Sequence, residues 1–214
     1  MLAALLICLD RTLVDYHPHP RFGWANRITL FRAAIIVVLA ARVVDPTSLH
    51  DRECWVLATA ALLALTLDAI DGWMARRQQL TSVFGARFDI EIDAFATLAL
   101  AALAVRVGAV PPWALAVGLM RYVFLVASWL FPFLRAALPD GRFARWRRQI
   151  IGAGQSLVLA AALMPAMPGT TARFACAAAL VQLIYSFVAD AAILLARDRP
   201  NRPPAVRGGV ERTV

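Results

Sequence analysis

Residues 68–93 read DAIDGWMARRQQLTSVFGARFDIEID and lie between two long apolar stretches. Asp68 and Asp71 are three residues apart, so they share one face of a helix. Asp89 and Asp93 are four apart and share a face of the next helix, whereas Glu91, between them, points elsewhere. Two helices joined by a short link are expected to be antiparallel neighbours. Both acidic faces are therefore predicted to meet in one pocket at the membrane surface.

Four carboxylates in one pocket repel each other unless cations neutralise them. A set of oxygen donors without His or Cys is typical of sites for hard divalent cations, chiefly Mg²⁺ or Mn²⁺. Two such ions about 4 Å apart would clamp a diphosphate. Gly72 and Gly85 would let a ligand approach the backbone, and Arg76 could bind a phosphate oxygen. The segment therefore predicts a metal-dependent phosphate site.

The composition indicates a membrane protein. Of the 214 residues, 61% are hydrophobic and 17% are charged, against about half and about a quarter in soluble domains. We predict an all-α polytopic membrane protein with six transmembrane helices, preceded by a short interfacial helix at residues 1–9. The predicted spans are 28–44, 54–67, 92–107, 112–134, 149–164 and 171–195.

The distribution of arginine predicts the orientation. All 22 basic residues are arginine, and 16 of them fall on one side of the membrane if six spans separate the loops. The positive-inside rule makes that side cytoplasmic and places both termini and the acidic pocket there, in the cell (inner) membrane. Residues 1–197 are predicted to form one membrane domain, and 198–214 a disordered cytoplasmic tail. The long apolar runs argue against a nucleic-acid-binding protein.

The acidic segment follows the spacing D-x2-D-G-x2-A-R-x8-G-x3-D-x3-D at every fixed position. This pattern resembles the signature of the CDP-alcohol phosphotransferases (CDP-alcohol phosphatidyltransferases, class I). A second match, Asn26-x2-Thr29-x2-Arg32, is similar to the start of the first span in that family, although Ala25 replaces a frequent proline. With the six-span layout, the resemblance extends over about residues 22–197.

The resemblance implies a role for each matching residue. The metal ligands would be Asp68, Asp71, Asp89 and Asp93. Asp93 would also be the general base that activates the acceptor hydroxyl. The CDP pocket would contain Asn26, Thr29, Gly72, Ala75, Arg76, Ser82 and Gly85. The reaction would be in-line attack of an alcohol on the β-phosphorus with CMP leaving, and the protein is expected to be a homodimer.

The most specific expectation is transfer of a phosphatidyl group from CDP-diacylglycerol to a small alcohol in phospholipid biosynthesis. Glycerol 3-phosphate ranks first because intramembrane arginines could hold a phosphorylated acceptor. The candidate acceptor-binding residues are Arg32, Arg121 and Arg135. Tyr122 follows Arg121 where phosphatidylglycerophosphate synthases commonly have Glu, so inositol phosphate, serine and choline stay open.

Other interpretations compete with these expectations. Arg32 and Arg121 could instead form ion pairs between helices, for example with Asp190, which also lies within a predicted span. The donor could be a CDP-alcohol and the acceptor a diacylglycerol. A transporter with an acidic ion site, or a catalytically silent scaffold, would also contain intramembrane carboxylates.

Overall fold

The computed structural model describes residues 24–78, 83–131 and 142–198, with side chains at 28–70, 72, 89–131 and 146–196. These residues form six α-helices and no strand, which confirms the predicted all-α class. The helices are α1 (Trp24–Val44), α2 (Asp51–Gln78), α3 (Val83–Arg106), α4 (Leu115–Leu130), α5 (Arg142–Ala162) and α6 (Gly169–Asp198). A 3₁₀ turn at Pro112–Ala114 leads into α4. Each predicted span overlaps one of these helices.

Three segments of the described chain are long and apolar enough to cross a membrane by length and composition, namely Asp51–Ile70, Pro112–Leu130 and Gly169–Ala196. Six spans in total stay a prediction. The predicted interfacial helix at 1–9 lies outside the described residues, as does the predicted tail beyond residue 198.

The packing is that of membrane helices, with small residues inside and large apolar residues outside. Alanines such as Ala58, Ala101 and Ala160 are fully buried, whereas Phe174 is 78% exposed and Trp129 80% exposed. Small side chains let helix backbones approach, and large apolar side chains on the outer surface suit contact with lipid. The chain is therefore a membrane protein by fold as well as by composition.

One end of the bundle is closed by polar contacts around the link between α1 and α2. Arg106, at the end of α3, donates a 2.6 Å hydrogen bond to the Thr47 carbonyl and another to the Arg42 carbonyl. Asp45 accepts hydrogen bonds from the Thr47 backbone N–H and hydroxyl, and these bonds lower the pKa of Asp45. This network ties the α1–α2 link to α3 at the end opposite Asp68.

Helix α1 packs against both α2 and α3, and α3 also contacts α4 and α5. The main contacts around the acidic residues are thus those of α1 with each acidic helix, rather than the direct α2–α3 packing expected from the short link. The acidic end of α2 and the start of α3 consequently meet beside the first half of α1.

Candidate metal and phosphate site

Three of the four predicted carboxylates converge. Asp68 on α2 and Asp89 and Asp93 on α3 each offer a carboxylate oxygen, and these atoms all lie within 4.8 Å of one another. Asp89 and Asp93 share a face of α3 because they are four residues apart. The side chains of Asp68, Asp89 and Asp93 are between one-third and about one-half exposed. The cluster is therefore open on one side to a ligand.

Arg32 of α1 lies against all three carboxylates. Its guanidinium forms ion pairs with Asp68 and Asp89, and its Nη2 is 3.4 Å from an oxygen of Asp93. The Arg32 side chain is only 1% exposed. Arg32 thus covers the buried side of the cluster and links α1 to both acidic helices. The further role in acceptor binding predicted for Arg32 stays a prediction.

A narrow crevice between α1, α2 and α3 continues from the cluster into the bundle. Its polar end is formed by Arg32, Asp68 and Asp93. Its remaining lining is apolar and consists of Ile36, Leu39, Ala61, Ala64, Leu65, Ala96, Ala99 and Leu100. The site therefore combines a charged mouth with an apolar interior.

Glu91 points away from the cluster, as expected from its position between Asp89 and Asp93. It accepts a hydrogen bond of 2.5 Å from Arg121 on α4. Arg121 therefore pairs with an acid of α3, one of the two roles considered for it, and its role in acceptor binding stays a prediction.

Asp190 on α6 has different partners from those suggested by the sequence. Its buried carboxylate pairs with Arg147 and lies 3.6 Å from Arg148, both near the start of α5. The Arg147 guanidinium also lies 5.9 Å from the centre of the Tyr185 ring, within the range of a cation–π contact. The suggestion that Asp190 pairs with Arg32 or Arg121 is wrong for the described residues, because those arginines contact acids of α2 and α3.

A polar contact between α3 and α5 was not anticipated from the sequence. The Thr97 hydroxyl donates to the backbone carbonyl of Asp93 at 2.8 Å, and Ser156 on α5 lies 3.0 Å from the same hydroxyl. Since Thr97 has one proton to donate, Ser156 donates to Thr97. The signal available in the sequence was a polar pair, Gln155 and Ser156, inside an apolar span.

The remaining predicted site residues are only partly described. Thr29 lies on α1, three residues before Arg32, and Gly72 lies on α2, four residues after Asp68. The backbones of Asn26, Asp71, Ala75, Arg76 and Gly85 belong to helices, but their side chains lie outside the described set. Ser82 and Arg135 lie outside the described residues altogether. The roles assigned to these seven positions stay predictions.

The donor set of the cluster fits a hard divalent cation. It consists of carboxylate oxygens from three residues, with no nitrogen or sulfur ligand among them. Mg²⁺ and Mn²⁺ prefer such donors and accept ligands from nucleotide phosphates as well. The fold and this cluster define a helical membrane protein with a carboxylate cluster whose oxygens could hold a divalent metal ion.

The family model for CDP-alcohol phosphatidyltransferases matches residues 22–184. The chain belongs to the CDP-alcohol phosphatidyltransferase family. The match extends from α1 to the middle of α6 and includes every residue of the carboxylate cluster.

Two curated relatives are cholinephosphotransferases. The chain is 33% identical over 113 residues to cholinephosphotransferase 1 of Homo sapiens. The aligned region covers 49% of this chain and 28% of the relative. It is 34% identical over 113 residues to cholinephosphotransferase 1 of Rattus norvegicus, with the same coverage. The chain thus matches less than one-third of the length of these relatives. No solved structure matches it.

Proposed function

We propose that this protein transfers a phosphoester from a CDP-linked donor to the hydroxyl of an acceptor and releases CMP. The observation that carries the proposal is the convergence of Asp68, Asp89 and Asp93 in a member of this family. The chain is a membrane protein, which suits a reaction in which one substrate is a lipid.

Asp68, Asp89 and Asp93 would hold a divalent cation, together with Asp71 if its predicted role is correct. A bound Mg²⁺ or Mn²⁺ would neutralise the diphosphate and stabilise charge on the oxygens at the reacting phosphorus. We propose two such ions, as the resemblance implies.

Asp93 is the best candidate for the general base. Its side chain is 52% exposed, the most accessible of the three, so an acceptor hydroxyl can reach it. Asp93 would take the hydroxyl proton while the acceptor oxygen forms a bond to the β-phosphorus. The bond from the β-phosphorus to its bridging oxygen would break, and CMP would leave with that oxygen.

The predicted CDP pocket belongs to the same proposal. Thr29 and Gly72 lie three and four residues from Arg32 and Asp68 on the same helices, which supports a position for them beside the cluster. Asn26, Ala75, Arg76, Ser82 and Gly85 would complete the pocket around the nucleotide. Arg76 would hold a phosphate oxygen.

Two donor and acceptor pairs fit this chemistry. The first is CDP-diacylglycerol with a small alcohol, which would yield a phospholipid. The second is a CDP-alcohol with a diacylglycerol, and the names of the two cholinephosphotransferase relatives favour it. Neither the family nor these relatives support glycerol 3-phosphate over other acceptors.

The test is CMP release by the purified protein in detergent with each donor and acceptor pair in turn. CDP-diacylglycerol would be supplied with glycerol 3-phosphate, inositol phosphate, serine or choline, and CDP-choline with diacylglycerol. Release that needs one acceptor assigns the pair. A protein that binds no CDP and releases no CMP with any pair would contradict the proposal and favour a transporter or scaffold.

The location of the site in the cell also belongs to the proposal. The arginine-rich segments would face the cytoplasm of a cell (inner) membrane, so the carboxylate cluster would open to soluble nucleotides on that side. We further propose a homodimer, on the family resemblance alone.

A further inference from the structure

We propose that Arg32 is a built-in counter-cation of the carboxylate cluster, which holds Asp68, Asp89 and Asp93 together and weakens their affinity for divalent cations. This inference rests on the metal site of the proposed function. It assigns Arg32 a role that neither the acceptor-binding prediction nor the metal-ligand pattern contains.

The burial of Arg32 is the first argument. A guanidinium that is 1% exposed inside an apolar bundle needs anionic partners, because an unpaired buried charge is costly. Its partners come from two other helices, Asp68 on α2 and Asp89 and Asp93 on α3. Arg32 therefore fixes the relative position of three helices through charged contacts.

The second argument is that Arg32 and a metal ion would use the same carboxylates. The three residues whose oxygens lie within 4.8 Å of one another are also the three residues that Arg32 contacts. An oxygen lone pair that accepts an N–H from arginine cannot coordinate a cation at the same time. Arg32 contacts Oδ1 of each carboxylate and so occupies part of the donor set that a cation would use, while the remaining lone pairs stay available for coordination.

The third argument is electrostatic. Three carboxylates and one guanidinium leave the described cluster with a formal charge of −2, less negative than the carboxylates alone. The positive charge of Arg32 also repels a divalent cation at short range. Both effects lower metal affinity, while the contacts between helices keep the carboxylates in place.

The experiment measures Mn²⁺ binding to the purified full-length protein by the loss of the free Mn²⁺ EPR signal. Wild type is compared with Arg32→Gln, Arg32→Lys, Asp68→Asn and Arg121→Gln. Unfolding temperatures are recorded with EDTA and with saturating Mn²⁺. Arg121→Gln is the matched control, since it also removes an arginine from the bundle, but one that pairs with Glu91.

We expect Arg32→Gln to unfold at a lower temperature in EDTA and yet to bind Mn²⁺ at least about tenfold more tightly. Arg32→Lys keeps the charge but loses the planar fork, so its affinity should lie between wild type and Arg32→Gln. Arg121→Gln should bind Mn²⁺ like wild type. If Arg32→Gln does not fold, tighter Mn²⁺ binding by Arg32→Lys than by wild type would still support the inference that Arg32 weakens metal affinity.

Unchanged or weaker Mn²⁺ binding in the folded Arg32 variants would overturn the inference. A purely structural role predicts weaker binding, because the carboxylates would separate. A role in acceptor binding alone predicts unchanged Mn²⁺ affinity. Equal Mn²⁺ binding by wild type and Asp68→Asn would instead contradict the proposed metal site itself.

Discussion

Glu91 on α3 accepts a 2.5 Å hydrogen bond from Arg121 on α4. Asp89, two residues earlier on the same helix, instead contacts Arg32 on α1. The start of α3 thus presents acids to two different helices. Only the face that includes Asp89 and Asp93 contributes to the carboxylate cluster.

This division predicts that two similar substitutions differ in their effect on metal binding. Glu91→Gln should leave Mn²⁺ affinity within about twofold of wild type, because Glu91 offers no ligand to the cluster. Asp89→Asn should weaken Mn²⁺ binding by at least about tenfold, since even indirect ligands have effects of this size. Mn²⁺ titration followed by EPR measures both. Equal effects of the two substitutions would contradict the assigned geometry.

Gly118 on α4 lies at a close approach of α4 to the backbone of α3. A Cβ atom at this position would be 2.4 Å from the Cα and 2.9 Å from the backbone nitrogen of Leu98. Since backbone atoms cannot move aside as a flexible side chain can, Gly118→Ala should force the helices apart and destabilise the protein by about 1–3 kcal/mol. Thermal unfolding in detergent measures the effect.

Gly152 on α5 provides the control for this substitution. A Cβ there would meet no atom within 4 Å. Gly152→Ala should therefore be neutral or stabilise the protein by up to about 1 kcal/mol, because alanine loses less backbone entropy in a helix. If Gly118→Ala were as well tolerated as Gly152→Ala, the close α3–α4 contact would be wrong.

Asp190 on α6 is the acid shared by Arg147 and Arg148 of α5. Its substitution should therefore lower the stability of the protein more than substitution of Arg148. Asp190→Asn leaves Arg147, which is 16% exposed, without its carboxylate partner and should cost about 3 kcal/mol, the lower end of the range for a buried pair. Arg148→Gln leaves the Arg147–Asp190 pair intact and, because Arg148 is 30% exposed, should cost less than about 1 kcal/mol. Thermal unfolding ranks the two variants, and the reverse order would refute this network.

Thr97 and Ser156 should be energetically coupled across α3 and α5. Their hydroxyls are 3.0 Å apart, and hydrogen bonds between membrane helices contribute about 0.6 kcal/mol on average. A double-mutant cycle with Thr97→Val and Ser156→Ala should give a coupling energy of this order. Fully additive effects of the two substitutions would argue against the hydrogen bond.

The sequence predicted those features that depend on helical periodicity. The spacing of Asp89 and Asp93 placed them on one face and Glu91 on another, and the structure agrees. The apolar runs predicted the helices, because a membrane protein must satisfy its backbone within each span.

Features that depend on which helices are neighbours could not be read in this way. The periodicity of a helix indicates its faces but not its partners, so it does not indicate which arginines pair with Asp190 or that α1 lies beside both acidic helices. Arg32 carries one signal for its partners, since an arginine near the start of an apolar span needs an acid at the same depth. Asp68 and Asp93 lie at such a depth, at the end of the second predicted span and the start of the third.

The most direct test of the central claim is CMP release from a CDP-linked donor by the purified wild-type protein and by Asp93→Asn, with Mn²⁺ and with EDTA. The proposed site predicts that wild type releases CMP only with the metal and an acceptor. It also predicts that Asp93→Asn binds CDP but releases at least about a hundredfold less CMP, since general-base catalysis contributes about 10²–10⁴ in rate. CMP release by wild type in EDTA, or near-normal release by Asp93→Asn, would contradict this account.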